Sequence, residues 1–181
     1  GLHMNLVLNE PTAFSGFMAH YGKFSGVSNY VTVAGRKSPG LEERCGYYGE
    51  QVVLSAQAAG LNSCWVAMTY SKSKANVALG KDEKLCLVIA LGYGETQGEP
   101  HKSKPREAVI APGSETPEWF LRGVDAALLA PTAMNQQKFA LSCSGNRVSA
   151  KAGKGFYVQT DLGIVKYHFE LGAGLDNFVW A

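Results

Sequence analysis

The residues whose types could do chemistry fall in two stretches. In "AALLAPTAMNQQKF" (126–139) an apolar run stops at Pro131, and a hydroxyl and three amides follow: Thr132, Asn135, Gln136 and Gln137. A carboxamide carries donors and acceptors on one planar group. This close to an apolar helix end, such groups either sit in water, as the amides of an ordinary helix-to-strand loop, or serve a buried polar ligand. The second stretch, "GETQGEPHKSKPREAV" (94–109), is a polar, proline-broken loop carrying Lys102, Lys104 and Arg106. These three cations are either solvated or available to an anion, which an arginine can hold through two oxygens at once.

Other chemistries find little support. The four cysteines, Cys45, Cys64, Cys86 and Cys143, form no C-x-x-C pair, and with four scattered histidines they do not suggest a metal site. Reduced cysteines in a cytoplasm are the simplest reading. The net charge of +2 is too small to make nucleic acid or an anionic membrane the main partner. No apolar run approaches the ~18 residues of a membrane span, and the opening "GLHMNLVLNEP" lacks the basic start and apolar centre of a signal peptide. Charged residues make up 18% and apolar residues 46%, which argues for a folded chain with a real core.

The elements that must position these groups follow from pattern. Short strands are expected at 5–8 and, from the β-branched "NYVTVAG", at 29–35. A helix is expected over 41–59, opened by acidic residues and stopped by Gly60. Its part from Val52 to Ala59 reads as buried. "SKSKANVALG" (71–80) reads as a short helix with Ser71 as N-cap. "KLCLVIALGYG" (84–94) reads as a central strand covered on both faces. Thr116 and Pro117 open a helix running to about Ala130. A hairpin turns at Ser144-Gly145-Asn146, "GFYVQT" (155–160) reads as a strand, and Asp161 caps a last helix ending near Gly174. Helices interleaved with strands plus a hairpin favour a mixed sheet covered by helices over a pure βαβ series. Trp65 and Trp180 read as core aromatics, Cys64 as a small buried hydrophobe and His168 as structural. Glu50 and Gln57 read as partners in hydrogen bonds on the helix surface.

The two long helices echo each other. Laid over one another, 48–64 and 162–178 share glycines 49 and 163, alanines 59 and 173, glycines 60 and 174, and leucines 61 and 175. A true repeat would mean two copies of one unit about a pseudo-twofold axis, as in a fused dimer.

Three segments together resemble the nitroreductase family of flavin enzymes. "GYYGEQVVLSAQAAGLNSCW" resembles its long central helix and "G-L-G-x-C-W" exit. "GYGETQGEPHKSKPREAV" resembles its strand end and basic "K-P-R" tail, and "APTAMNQQKF" its "A-P-S-x-x-N-x-Q-P-W". The branch with two half-units fused in one chain is the nearest, and it accounts for the internal echo. Two departures stand out. Lys138 and Phe139 replace the usual Pro and Trp, and the arginine-rich "R-R-S-x-R" segment that grips the flavin phosphate is missing, as if the chain started after it.

The resemblance implies an α+β fold: a mixed, largely antiparallel sheet flanked by helices, with an internal pseudo-twofold repeat. It implies one domain over 1–181, with half-units at about 1–110 and 117–181. The implied activity is an FMN-dependent oxidoreductase that passes electrons from NADH or NADPH to a nitro, quinone or similar flat small-molecule acceptor. The alternative is a redox-inactive relative that binds a small ligand or serves as a partner subunit. Flavin fragmentation is a third possibility. Residues implied at the cofactor are Gly60, Leu61 and Asn62 near the ring, Pro131, Thr132, Asn135 and Gln137 at its polar edge, and Lys102, Lys104 and Arg106 at the phosphate. No catalytic side chain is named, because hydride passes between stacked rings and the protein's task is to fix their distance. The chain is expected to be a cytoplasmic monomer (a fused pseudo-dimer) or a homodimer, with the "APTAMN" loop of one half facing the "GLNSCW" turn of the other.

Overall fold

The computed structural model describes residues 1–22 and 24–181, apart from the side chain of Met18. The chain divides into two units. Gly1–Leu41 and Gln51–Gly98 form the first; Glu42–Glu50 and Glu99–Ala181 form the second.

The first unit is built on a four-stranded antiparallel sheet. Its strands are β1 (Leu2–Val7), β2 (Asn29–Arg36), β3 (Asn62–Val66) and β4 (Glu83–Gly92), in the order β1-β2-β4-β3. The short helix α1 (Phe17–Tyr21) lies between β1 and β2 in sequence. The inner strands are β2 and β4, the two with the longest β-branched and apolar runs. Tyr30–Gly35 and Leu87–Ala90 are continuously buried, as expected of strands covered on both faces. Phe14, Tyr30, Val66, Tyr70, Val88 and Ala90 form much of the core, and the rings of Phe14 and Tyr30 lie 5.7 Å apart. The Tyr30 hydroxyl donates to Glu10 Oε2 at 2.7 Å and accepts the Asn76 N–H at 3.0 Å. Burial and then the Glu10 carboxylate push this phenol up to about 12.

The helix α2 (Leu41–Ala58) ends where the sequence placed its stop. Gly60 takes φ +81°, its N–H reaches Gln57 O at 3.0 Å, and the Leu61 N–H reaches Ala56 O at 2.9 Å. That pair of bonds is a Schellman cap, which needs a left-handed residue at this position. Along 52–59 only Val53 and Ala56 are buried, so the end of the helix is more open than its composition suggests.

The second unit packs α3 (Glu118–Ala127) and α4 (Val158–Ala173) with the hairpin β5 (Phe139–Ser144)–β6 (Arg147–Ala152). A short β7 (Val179–Trp180) pairs parallel to β6. The hairpin turns at Gly145-Asn146, with Gly145 at φ +58°. Phe120, Phe169, Phe178 and Trp180 form an aromatic cluster with centroid spacings of 5.1–5.6 Å. Glycines let helices approach closely here. A Cβ on Gly46 of α2 would lie 1.9 Å from Thr160 O, and one on Gly163 of α4 would lie 1.9 Å from Glu43 O. Gly46 of α2 therefore faces this crossing; it stands three residues before the Gly49 that the internal echo aligns with Gly163.

Five local expectations are corrected. Residues 71–80 form turns rather than a helix: the Lys74 and Ala75 N–H groups both return to Ser71 O and no further turn follows. Pro117, not Thr116, is the N-cap of α3, which ends at Ala127. Its last turn tightens through Leu129→Ala126 and Ala130→Ala127 bonds, because the residue before Pro131 is disfavoured in α conformation. "GFYVQT" is not a strand, since β7 already occupies the outer edge of β6. Helix α4 instead starts at Val158 after a left-handed Tyr157, leaving Asp161 inside the first turn rather than capping it. The "GLNSCW" turn at the exit of the helix is a turn only through Leu61, and residues 62–66 form edge strand β3.

Candidate functional site

From Thr132 the chain turns left-handed. Met134 (φ 51°), Asn135 (φ 51°) and Gln137 (φ 45°) all take positive φ, and none is glycine. That conformation costs an L-residue roughly 1–2 kcal/mol, less for Asn, so three in four positions persist only if neighbours over-determine them. The neighbours do. The Asn135 N–H donates to Thr132 O at 2.9 Å and the Gln137 N–H to Thr132 Oγ1 at 3.0 Å. Asp161 accepts the Ala133 N–H through Oδ1 at 3.0 Å and Gln136 Nε2 through Oδ2 at 2.7 Å. Burial raises the Asp161 pKa, and these two hydrogen bonds oppose the rise.

The cationic stretch is the partner of this loop. Asn135 Nδ2 and Gln137 Nε2 both donate to Lys102 O, at 3.0 and 2.9 Å. The Lys104 N–H donates to Gln137 Oε1 at 2.8 Å, and Lys104 Nζ donates to the carbonyls of Gln136 and Gln137 at 2.8 and 2.9 Å. Gln137 Nε2 also donates to Asn135 Oδ1 at 2.7 Å. Gln137 is buried, while Asn135 and Met134 are exposed. Arg106 forms a two-point ion pair with Asp125, at 2.5 Å on both arms. So the second unit brings Lys102, Lys104, Thr132, Asn135 and Gln137 together, but as each other's partners. Arg106 is committed elsewhere, and Lys102 keeps an exposed side chain.

The first unit carries a groove of about 590 Å³ beside the other predicted residues. Leu61 and Asn62 line it with Leu6, Cys64, Gly92 and Tyr93. Asn62 opens β3; its Oδ1 accepts the Gly94 N–H at 2.8 Å and its Nδ2 donates to Gln97 Oε1 at 3.2 Å, which fixes the chain leaving β4. Gly60 stands just before, with no atom within 4 Å of where a Cβ would be. Cys64 is exposed along the groove rather than buried. The walls supplied by Leu6, Leu8 and Tyr93 were missed. Their signal was available in part: Leu6 and Leu8 are 59% and 60% exposed, apolar residues two apart at the end of an edge strand.

Elsewhere in the second unit polar residues join 42–50 to α4. His168 Nε2 meets the buried Glu50 Oε1 at 2.8 Å, and Lys166 pairs with Glu43 at 2.5 Å. Glu170 accepts the Tyr47 hydroxyl at 2.6 Å and Trp180 Nε1 at 2.7 Å. Burial, then the Glu170 carboxylate, push the Tyr47 phenol well above its ordinary value. Each group has a partner, so structural roles account for His168 and Glu50. Among the described residues, no helix is long and apolar enough to cross a membrane.

The two α+β units, with largely antiparallel sheets and four α-helices among the described residues, have a nitroreductase-like fold. The chain resembles a crystal structure described as "a putative nitroreductase" from Thermotoga maritima, with a TM-score of 0.66 and 22% identity. The match covers 95% of this chain and 65% of that one, so the chain spans just under two thirds of its relative's length. A family model described as "Putative TM nitroreductase" matches residues 1–173, and the chain belongs to that family. No curated protein matches the sequence.

Proposed function

We propose that the protein is a flavin-dependent oxidoreductase, using FMN to pass electrons from NADH or NADPH to a nitro, quinone or similar flat acceptor. Beside family membership, the observation that carries this reading is the groove of the first unit. Small-molecule sites are clefts of about 300–1,000 Å³ with apolar walls and a few placed polar groups. The groove has this character: Leu6, Leu61 and Tyr93 supply walls for a flat ring, and Asn62 supplies a carboxamide already fixed by two hydrogen bonds. In the second unit, Asn135 uses one Nδ2 hydrogen on Lys102 and keeps the other.

Two of the three cations suggested for the phosphate have partners within the protein. Arg106 is neutralised by Asp125, and Lys104 spends two of its three donors on carbonyls. Of the three, exposed Lys102 is left for an anion. When bound, FMN would supply the hydride- and electron-transfer chemistry. The chain's own part is to hold the ring, order its polar edge and leave one face open.

The test is a titration of the full chain with FMN, followed by quenching of flavin fluorescence. Quenching and a yellow protein are expected, and Cys64→Trp, which fills the groove, should abolish both. A wild-type chain that leaves free-flavin fluorescence unchanged at submillimolar FMN ends the reading. The second reading, a redox-inactive relative that binds a small ligand, draws on the commitment of Lys104 and Arg106 within the protein. It predicts flavin binding without oxidation of NADH or NADPH by any quinone or nitroaromatic.

A further inference from the structure

We propose that Lys104 and Asp161 are positioning residues: together they clamp the left-handed loop 132–137 so that Asn135 and Met134 are presented outward, ready for a ligand. The proposal rests on the flavin reading above for the identity of that ligand.

The argument begins with the two ends of the loop. At its start, the Asp161 carboxylate holds the Ala133 N–H and, through its other oxygen, the Gln136 side chain. At its end, the Lys104 ammonium bridges the consecutive carbonyls of Gln136 and Gln137. One clamp is anionic and grips donors; the other is cationic and grips acceptors. Neither residue belongs to the loop. Asp161 stands in the first turn of α4, where the helix dipole favours its charge, and Lys104 stands in the preceding proline-broken stretch. Between the clamps lie the three positive-φ residues. The outcome is a division of labour. Gln137 points inward and is 3% exposed, whereas Met134 is 83% exposed on a backbone that a free loop would abandon. Exposed residues held in a disfavoured conformation by several such bonds are preorganised, and preorganisation raises affinity by removing the ordering cost from the binding step.

Lys104→Met and Asp161→Asn test this in the full chain, with Lys104→Arg as the conservative control. Lys104 is exposed, so its variants should fold even if an Asp161 change lowers stability. Two readouts are needed. Without ligand, hydrogen exchange of the amides at 133–137 should accelerate at least tenfold in Lys104→Met and Asp161→Asn, with β5–β6 still protected. Lys104→Arg should restore part of the protection. In the FMN titration, both variants should bind roughly tenfold or more weakly. Unchanged exchange at 133–137 overturns the clamp. Accelerated exchange with unaltered FMN affinity overturns the positioning role. Should wild-type protein fail to bind FMN at all, the flavin reading fails, while the exchange data still decide for or against the clamp.

Discussion

The helix crossing in the second unit gives the sharpest prediction about stability. Gly46→Ala would place a methyl carbon 1.9 Å from Thr160 O, and Gly163→Ala would place one 1.9 Å from Glu43 O. Ordinary contact begins near 3.4 Å, so either change leaves a shortfall of 3.4 − 1.9 = 1.5 Å. In both cases the obstacle is backbone, which cannot swing aside like the end of a side chain. The 42–50 segment and α4 must separate, stretching the Lys166–Glu43, Tyr47–Glu170 and His168–Glu50 contacts along the seam. Overpacking costs typically 1–3 kcal/mol and more against backbone, while alanine in place of helical glycine returns about 1 kcal/mol. With the clash against backbone put at about 4 kcal/mol, a net loss of about 3 kcal/mol is expected, a fall in Tm of roughly 6–12 °C for a chain of this size. Thermal melts followed by circular dichroism measure it. The double variant should lose much less than the sum, since helices parted by one methyl already accommodate the other. A Gly46→Ala protein that melts at or above the wild-type temperature, as helix propensity alone predicts, would refute the close crossing.

Three further outcomes follow from single groups. Tyr30→Phe strands the Asn76 N–H and leaves Glu10 Oε2 with only the longer Ala13 N–H bond at 3.4 Å, so a loss of about 1–3 kcal/mol is expected in urea unfolding. Because the Tyr30 phenol is raised from 10.0 to about 12, the folded state holds its proton more tightly than the unfolded one. Its contribution is complete below pH 10 and is lost as pH rises towards 12, and a stability–pH series in that window should show the decline in wild type but not in Tyr30→Phe. Gly60→Ala meets no steric neighbour, only a left-handed φ; it should cost about 1 kcal/mol, with Gly60→Asn costing less in the same melt. Arg106→Gln breaks only an exposed ion pair, so the melting temperature and FMN affinity should both stay near wild type; a large drop in affinity would return Arg106 to the phosphate.

What the sequence made legible was the structure that one local rule decides. Strands β2 and β4 announce themselves because strands covered on both faces need unbroken apolar runs. The hairpin shows through its glycine turn, and the end of α2 shows because a Schellman cap needs a residue that tolerates positive φ. The misses share a different cause. "GFYVQT" has strand-like side chains, but a strand exists only with a partner, and β6 has its second neighbour in Val179–Trp180. β3 is five residues long, and its pairing with β4 is settled by the sheet rather than by its own composition. Asp161 looks like an N-cap to any local rule; its true partners, Ala133 and Gln136, lie more than a helix length upstream.

The candidate site shows the same limit in its chemistry. Read alone, the amides of "PTAMNQQ" face a choice between water and ligand, and the cations of "HKSKPRE" a choice between water and phosphate. The fold supplies an option that neither stretch reveals by itself, which is that each satisfies the other. Gln137 is buried because Lys102 and Lys104 present backbone groups to its amide, and Lys104 is tied down because a left-handed loop offers it two adjacent carbonyls. A buried amide with both hydrogens and its oxygen engaged is poorly placed to serve a ligand. The groups left for recognition are therefore the remainder after this mutual bonding: the second amide hydrogen of Asn135, the third donor of Lys104, the Lys102 side chain and the Met134 thioether. Two of these four groups are ammonium groups, so the remainder keeps positive charge for an anion beside the single amide donor of Asn135.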